Sequence, residues 1–316
     1  MIRICIIGRK TVSYEGDLHF RDVERLGEVF FSDATDEDGV VAACQRADAL
    51  LVNKTEITEG VLSRLPRLKY VGIFATGYNN VDLAACKKYG VTCTNVPDYS
   101  TNAVAQHTLA LLLSAAGSLP SYFASVARGD WLRSPSFSYH AYPTQEVAGK
   151  TLGIFGLGNI GSRVAAIAEA LQMKVIYYNR TPKKTAWEEV GKEELFSRAD
   201  FLSLHCALTQ ETENLVNRKT LSLMKPSAYL INTARGGLVD EHALKAALEG
   251  DALAGAYLDV VKKEPMTPAC PLLGAKNCFI TPHTAWSPVD TRQELIRLAA
   301  ENLRAFLDGR PINVIA

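Results

Sequence analysis

Three side chains follow apolar, β-type runs in the second half of the chain, and each brings a different chemistry. Arg235 lies in Asn232-Thr233-Ala234-Arg235-Gly236-Gly237, directly after the run Ala228 to Ile231. A guanidinium there can grip a carboxylate with two parallel hydrogen bonds. Glu264 follows the run ending near Asp259, and His283 follows the run ending at Thr281, within Thr281-Pro282-His283-Thr284-Ala285-Trp286. Imidazole is the natural general acid–base near neutral pH, and a carboxylate partner fixes its tautomer. Read singly, Arg235 is equally a member of a structural ion pair, Glu264 a solvated loop residue and His283 a turn residue. Read together, at strand ends that face one ligand crevice in an α/β sheet, they form an anion grip beside a proton-transfer pair.

A fourth feature supplies a partner for that set. Gly156-Leu157-Gly158-Asn159-Ile160-Gly161 follows the apolar run Leu152 to Phe155 and opens a helical stretch toward Leu171. In that context the spacing is a dinucleotide fingerprint: Gly156 permits the tight turn, Gly158 admits a pyrophosphate and Gly161 lets helix and strand pack closely. The phosphates would meet free N–H groups at the helix N-terminus. The alternative is a glycine-rich turn with no ligand. The next run ends at Tyr177-Tyr178-Asn179-Arg180, followed by Thr181, Lys183 and Lys184. An NAD site usually carries an acid here for the ribose 2′-hydroxyl. A neutral Asn179 beside a basic turn favours NADP(H) over NAD(H), unless the turn is merely solvated.

These residues need a scaffold of parallel strands. At 316 residues the chain is long enough for two domains. Strand-type runs occur at 2–7, 49–52, 70–73 and 91–94, and again at 151–155, 174–178, 201–204, 228–232, 255–258 and 278–281. Helix-spaced runs lie between them, at 36–46 and 81–89 among others, with Asp82 in the first turn of the latter. The expected fold class is α/β, with two doubly wound parallel-sheet domains. The pattern also predicts one long helix from Asn102 to about Ala124 and an amphipathic helix from Asp290 to Leu307. Between Arg128 and Pro143 the periodicity breaks, leaving Trp131, Phe137, Tyr139 and Tyr142 in an interface arm or a packed surface loop.

Composition narrows the class further. Apolar residues make up 47% and charged residues 22%, a globular balance that excludes disorder and coiled coil. Lys plus Arg number 34 and Asp plus Glu 34, which leaves no electrostatic footprint for nucleic acid or an anionic membrane. The longest apolar stretch, Leu109 to Ala116, is too short to span a bilayer, and residues 1–5 do not have the layout of a signal peptide. Seven scattered cysteines, without metal-type spacing, read as reduced thiols of a cytoplasmic protein.

The same motifs, with Leu204-His205-Cys206-Ala207-Leu208-Thr209, Leu258-Asp259-Val260 and Glu264-Pro265, resemble the D-isomer-specific 2-hydroxyacid dehydrogenase family over nearly the whole chain. Residues 75–82, Asn95 to Thr108 and His283-Thr284-Ala285-Trp286 are most similar to its glycerate dehydrogenase/hydroxypyruvate reductase branch. The resemblance implies a discontinuous, flavodoxin-like substrate domain (1–99 and 287–316) into which a Rossmann-type dinucleotide-binding domain (100–286) is inserted. It implies that Arg235 orients a 2-oxo acid, Glu264 supports the imidazole and His283 donates the proton. Backbone N–H groups of Thr76 and Gly77 would bind the substrate carboxylate. Asn159 and Ile160 would touch the pyrophosphate, Cys206, Ala207, Thr233 and Ala234 would line the cofactor, and Asp259 would contact the nicotinamide carboxamide. Two departures stand out: Asn179 replaces the usual acid, and Ala207 the usual proline. The implied activity is hydride transfer between a nicotinamide and hydroxypyruvate/D-glycerate or glyoxylate/glycolate, in a homodimer without a metal. The alternative is a non-enzymatic NAD(P)-sensing, corepressor-like protein of the same fold.

Overall fold

The computed structural model describes residues 1–316 and divides into two compact units, one formed by 1–100 and 287–316, the other by 101–286. In the first unit, strands β1 (Ile2–Ile7), β2 (Gly27–Ser32), β3 (Ala49–Val52), β4 (Tyr70–Ile73) and β5 (Thr92–Thr94) alternate with helices α1 (Arg21–Glu24), α2 (Glu37–Cys44), α3 (Glu59–Ser63) and α4 (Leu83–Tyr89). The strands form a five-stranded parallel sheet in the order β2-β1-β3-β4-β5, the flavodoxin-like order. β3 and β4 are buried at every position, which is why they read as uninterrupted apolar runs. Asp82 sits one position outside α4, as its N-cap, and accepts a 2.9 Å bond from the Ala85 N–H.

The second unit contains α5 (Thr101–Ala116), α6 (Leu119–Ala127), β6 (Thr151–Phe155), α7 (Asn159–Ala170), β7 (Lys174–Tyr178), β8 (Glu188–Glu189), α8 (Lys192–Arg198), β9 (Phe201–Leu204), α9 (Arg218–Leu221), β10 (Tyr229–Asn232), α10 (Glu241–Glu249), β11 (Gly255–Leu258) and β12 (Cys278–Ile280). Its seven strands are all parallel, in the order β12-β11-β10-β9-β6-β7-β8. The order reverses between β6 and β9, so the ligand crevice of such a sheet opens where Gly156 and Cys206 begin their loops. Helix α11 (Val289–Leu307) returns the chain to the first unit. It buries Leu295, Ala299 and Leu303 as its spacing requires, and two polar residues as well. The Arg292 guanidinium reaches the Val12 carbonyl at 2.8 Å and the Asp17 carboxylate at 2.6 Å, and the Asn302 amide donates to the Asn95 carbonyl at 2.8 Å.

Three elements differ from the sequence expectation. β2 was not anticipated: it is an edge strand, half-exposed, that opens on a glycine, so it lacks the buried run of its neighbours. β8 is a two-residue exposed edge with no pattern to detect. The long helix expected from 102 to 124 is two helices bent by 65°. Ser118 takes a left-handed φ of 48° at the break, Pro120 falls in the first turn of α6, and the Ser118 hydroxyl donates to the Pro143 carbonyl at 2.5 Å.

Candidate active site

Arg235, Glu264 and His283 leave the carboxyl ends of three adjacent parallel strands, β10, β11 and β12, in register at Asn232, Leu258 and Ile280. Adjacent strands lie about 4.8 Å apart, so their loops share one edge of the sheet. Glu264 and His283 are in contact: His283 Nδ1 lies 2.6 Å from Glu264 Oε2. The other carboxylate oxygen of Glu264 accepts from the Val261 N–H at 3.2 Å, which fixes the group that faces the imidazole. A carboxylate only accepts, so Nδ1 carries the proton and Nε2 is left for exchange with a ligand.

The loop bearing Arg235 is clamped from below. The buried Asn232 amide donates to the Arg235 carbonyl at 2.9 Å and accepts from the Ala234 N–H at 3.0 Å. The exposed Arg235 guanidinium bonds to the Ala234 carbonyl, and no carboxylate of the chain lies within ion-pair distance of it. This removes the structural ion-pair alternative and leaves a charged fork for an external anion. Gly236 is required by close approach: a Cβ there would stand 2.0 Å from the Val261 carbonyl carbon. The Arg235 loop is thereby pressed against the loop that carries Glu264.

His283 has a left-handed φ of 54°, a conformation that must be held from outside. Its N–H is shared between the Asp259 carbonyl at 2.8 Å and the Thr281 carbonyl at 2.9 Å. The Asp259 carboxylate, fully buried, accepts from Thr281 Oγ1 at 2.6 Å, the Thr284 N–H at 2.8 Å and the Ala285 N–H at 2.9 Å. Asp259 thus ties down the residues on both sides of His283, a role its position in the sequence did not reveal.

The glycine loop has the features a dinucleotide needs. Gly156 turns at φ 99°, and a Cβ on it would strike the His205–Cys206 backbone at 2.8 Å. A Cβ on Gly161 would lie 2.3 Å from the Gly156 carbonyl, whereas one on Gly158 would meet nothing within 4 Å. α7 begins at Gly158 without a side-chain cap, and Gly158 and Asn159 are exposed. Its first N–H groups therefore point into open space, as a pyrophosphate cradle requires. Asn179 accepts from the Leu157 N–H at 3.0 Å and donates to the Thr181 carbonyl at 2.6 Å. An aspartate could make only the first of these bonds, so the asparagine is built into the turn. Arg180 is exposed and faces Glu211 at 4.0 Å, and Thr181 is exposed beside it.

The remaining expected residues are placed as follows. Ala207 is exposed and Cys206 partly so, at the end of β9; burial pushes the Cys206 thiol up to about 11. Thr233 is buried, its hydroxyl 2.8 Å from Thr108 Oγ1, and Ala234 is partly exposed. His205, the other imidazole after a strand, is pushed down to about 4 by burial, with Nε2 2.8 Å from Ser203 Oγ. It is neutral near pH 7. In the first unit the Asn95 amide donates to the Thr76 carbonyl at 2.7 Å and the Thr76 hydroxyl to the Val96 carbonyl at 2.9 Å. The Asn80 amide donates to the carbonyls of Asn53 and Thr55, both at 3.0 Å. These bonds hold the loop after β4 with the Thr76 and Gly77 N–H groups unused by the chain.

Comparison with known proteins finds relatives over most of the chain. Residues 109–285 match the family model described as D-isomer specific 2-hydroxyacid dehydrogenase, NAD binding domain. The chain is 39% identical over 307 residues to a hydroxypyruvate reductase of Blautia hydrogenotrophica, covering 95% of each. It is 40% identical over 278 residues to a glycerate dehydrogenase of Methylorubrum extorquens, covering 87% of this chain and 88% of that one. Among solved structures it resembles an NADPH-dependent glyoxylate/hydroxypyruvate reductase of Sinorhizobium meliloti, crystallised with NADP and malonate. The TM-score is 0.85 and the identity 30%, covering all of this chain and 97% of the other.

Proposed function

The chain belongs to the D-isomer-specific 2-hydroxyacid dehydrogenases, and from that premise we propose that it interconverts a small 2-oxo acid and its 2-hydroxy acid, with hydroxypyruvate or glyoxylate as the oxo substrate. The observation that carries this reading is the 2.6 Å His283–Glu264 pair beside an Arg235 with no carboxylate of its own. Bound nicotinamide supplies or accepts the hydride at C2 of the substrate. Arg235 grips the substrate carboxylate and polarises the neighbouring carbonyl. His283 gives its Nε2 proton to the developing alkoxide during reduction and takes it back during oxidation. Glu264 holds the Nδ1 proton in place and balances the imidazolium charge. Thr76 and Gly77 of the first unit keep N–H groups unused by the chain, as the family resemblance asks of residues that bind a carboxylate.

The region 101–286 is assigned to the nucleotide and the first unit to the substrate. Gly156, Gly158, Asn159, Ile160 and Gly161 would form the pyrophosphate cradle, Cys206, Ala207, Thr233 and Ala234 would line the cofactor, and Asp259 would contact the nicotinamide carboxamide. We assign NADP(H) as the preferred cofactor. Asn179 brings no negative charge to the 2′ position, and Arg180 beside it is exposed. One charge-assisted contact is worth about 1.5–3 kcal/mol, a preference of roughly ten- to a hundredfold. Seven free thiols fit the cytoplasm. The exposed Phe123, Trp131, Leu132 and Phe137 fit a homodimer whose interface includes α6 and the stretch after it.

Steady-state assays of a panel of 2-oxo acids with NADPH and NADH, for the native chain and Arg180→Ala, test these assignments. Turnover of hydroxypyruvate or glyoxylate, with an NADPH preference that falls in Arg180→Ala, is expected. No turnover of any 2-oxo acid would overturn the enzymatic reading. A preference for NADH, or an unchanged ratio in Arg180→Ala, would overturn the cofactor assignment.

A further inference from the structure

One helix of the second unit touches the loops after all three catalytic strands, and it does so through two consecutive residues. His107 of α5 places Nε2 3.0 Å from Thr281 Oγ1 and 3.4 Å from Asp259 Oδ1. Thr108 places its hydroxyl 2.8 Å from that of Thr233. The proton positions follow from counting donors. A hydroxyl has one proton, and that of Thr281 goes to the Asp259 carboxylate at 2.6 Å. Thr281 Oγ1 can then only accept from His107, so His107 Nε2 carries hydrogen, as its approach to Asp259 also requires. In the same way Thr108 donates to the Val104 carbonyl at 2.8 Å, and Thr233 must donate to Thr108. His107 is therefore a donor to Thr281, which in turn donates to the buried carboxylate that fixes both flanks of His283.

We propose that His107 is a positioning residue for the reaction: its Nε2–H orients Thr281 and Asp259, which hold His283 in its left-handed conformation with Nε2 presented to the substrate. The inference rests on the assignment of His283 as proton donor. It adds a residue 176 positions away in the chain. The energetic argument is that Thr281 Oγ1, stripped of the His107 N–H, is held only by its bond to the buried Asp259 carboxylate, whose remaining donors then rearrange. Those remaining donors are the backbone N–H groups of the His283 loop and the hydroxyl of Thr281. Movement of a catalytic group by about 1 Å can cost on the order of a hundredfold in rate.

Three variants test it. His107→Leu removes the donor at similar bulk, His107→Gln restores an amide N–H near the position of Nε2, and Thr281→Val removes the bridging hydroxyl. For His107→Leu we expect a fall in kcat of about ten- to a hundredfold, with the dissociation constant for NADPH within about twofold of native. We expect His107→Gln to recover most of that loss. Thr281→Val should match His107→Leu, and the double variant should be no worse than either single one. The second readout is NMR of the chain labelled with ¹³C-histidine, the His283 signal being the one lost in His283→Asn. That signal should shift in His107→Leu and return in His107→Gln. A folded His107→Leu with native kcat and an unmoved His283 signal would overturn the proposal. So would a glutamine variant as poor as leucine, or losses that multiply in the double variant. If His107→Leu does not fold, native turnover in Thr281→Val overturns it alone. If His283→Asn itself keeps full turnover, it is the assignment of His283 that fails.

Discussion

At the scale of single residues, the site is a sorting of charges by what surrounds them. Arg235 has no acidic partner, Glu264 pairs with His283, and Asp259 is buried under donors from its own loops, with His107 of α5 at 3.4 Å. Arg235→Lys would keep the charge and lose the planar fork. The expected loss is about 1.5–3 kcal/mol in kcat/KM for the 2-oxo acid, measured with saturating cofactor. A kinetically silent lysine would show that Arg235 does not bind the carboxylate. His205 yields a prediction of a different kind. Its pKa is lowered to about 4 by burial in the folded chain, against about 6.5 when unfolded. Between these values the unfolded state binds more protons, so this residue's contribution is complete above pH 6.5 and lost as pH falls toward 4. Urea unfolding of His205→Gln should therefore lose less stability than the native chain between pH 7 and pH 5. Parallel losses in the two proteins would contradict that burial.

The candidate catalytic residues could be located in the sequence because strand ends are legible. Buried parallel strands read as short apolar runs, and the polar residues that follow them sit at the ligand edge by topology. The groups that support them were not legible. His107 meets Thr281 across 174 positions, and in the sequence it is only a histidine before an apolar helix. Asn232 and Asp259 reveal their roles only when their hydrogen-bond partners are known.

At the scale of elements, the strand-end loops are joined by contact as much as by hydrogen bonds. Gly236→Ala would drive a Cβ to 2.0 Å from the Val261 backbone, which cannot yield as a side-chain tip would. The expected cost is about 1–3 kcal/mol of stability, as for overpacking elsewhere, together with a fall in kcat as the Arg235 and Glu264 loops separate. Thermal unfolding and steady-state kinetics of one preparation check both. Native stability and turnover would mean that the loops are not pressed together. The two strands missed at this scale, β2 and β8, lie at sheet edges, where partial exposure erases the apolar run. The bend at Ser118 was missed because apolar spacing continues across it, whereas left-handed backbone and Pro120 decide the direction.

At the scale of the whole molecule, the chain forms two parallel sheets with different strand orders, one in each unit. The exposed apolar residues after α5 are the main departure from an ordinary surface: Leu132 is 91% exposed, Phe137 89% and Phe123 70%. Two-fold dimers are the commonest way to cover such a surface. Light scattering at micromolar concentration should give twice the chain mass of 34.5 kDa, and Phe123→Asp with Leu132→Asp should reduce it to one. A native chain that scatters as a monomer would contradict the dimer.

The central claim is that His283, held by Glu264, moves the proton that accompanies hydride transfer. It is tested most directly by His283→Asn, assayed for hydroxypyruvate and glyoxylate reduction and, separately, for NADPH binding by fluorescence. The account predicts a fall in kcat of about a hundredfold or more, the usual range for a lost general acid, with cofactor affinity within about twofold of native. Near-native turnover by His283→Asn with either substrate would contradict it.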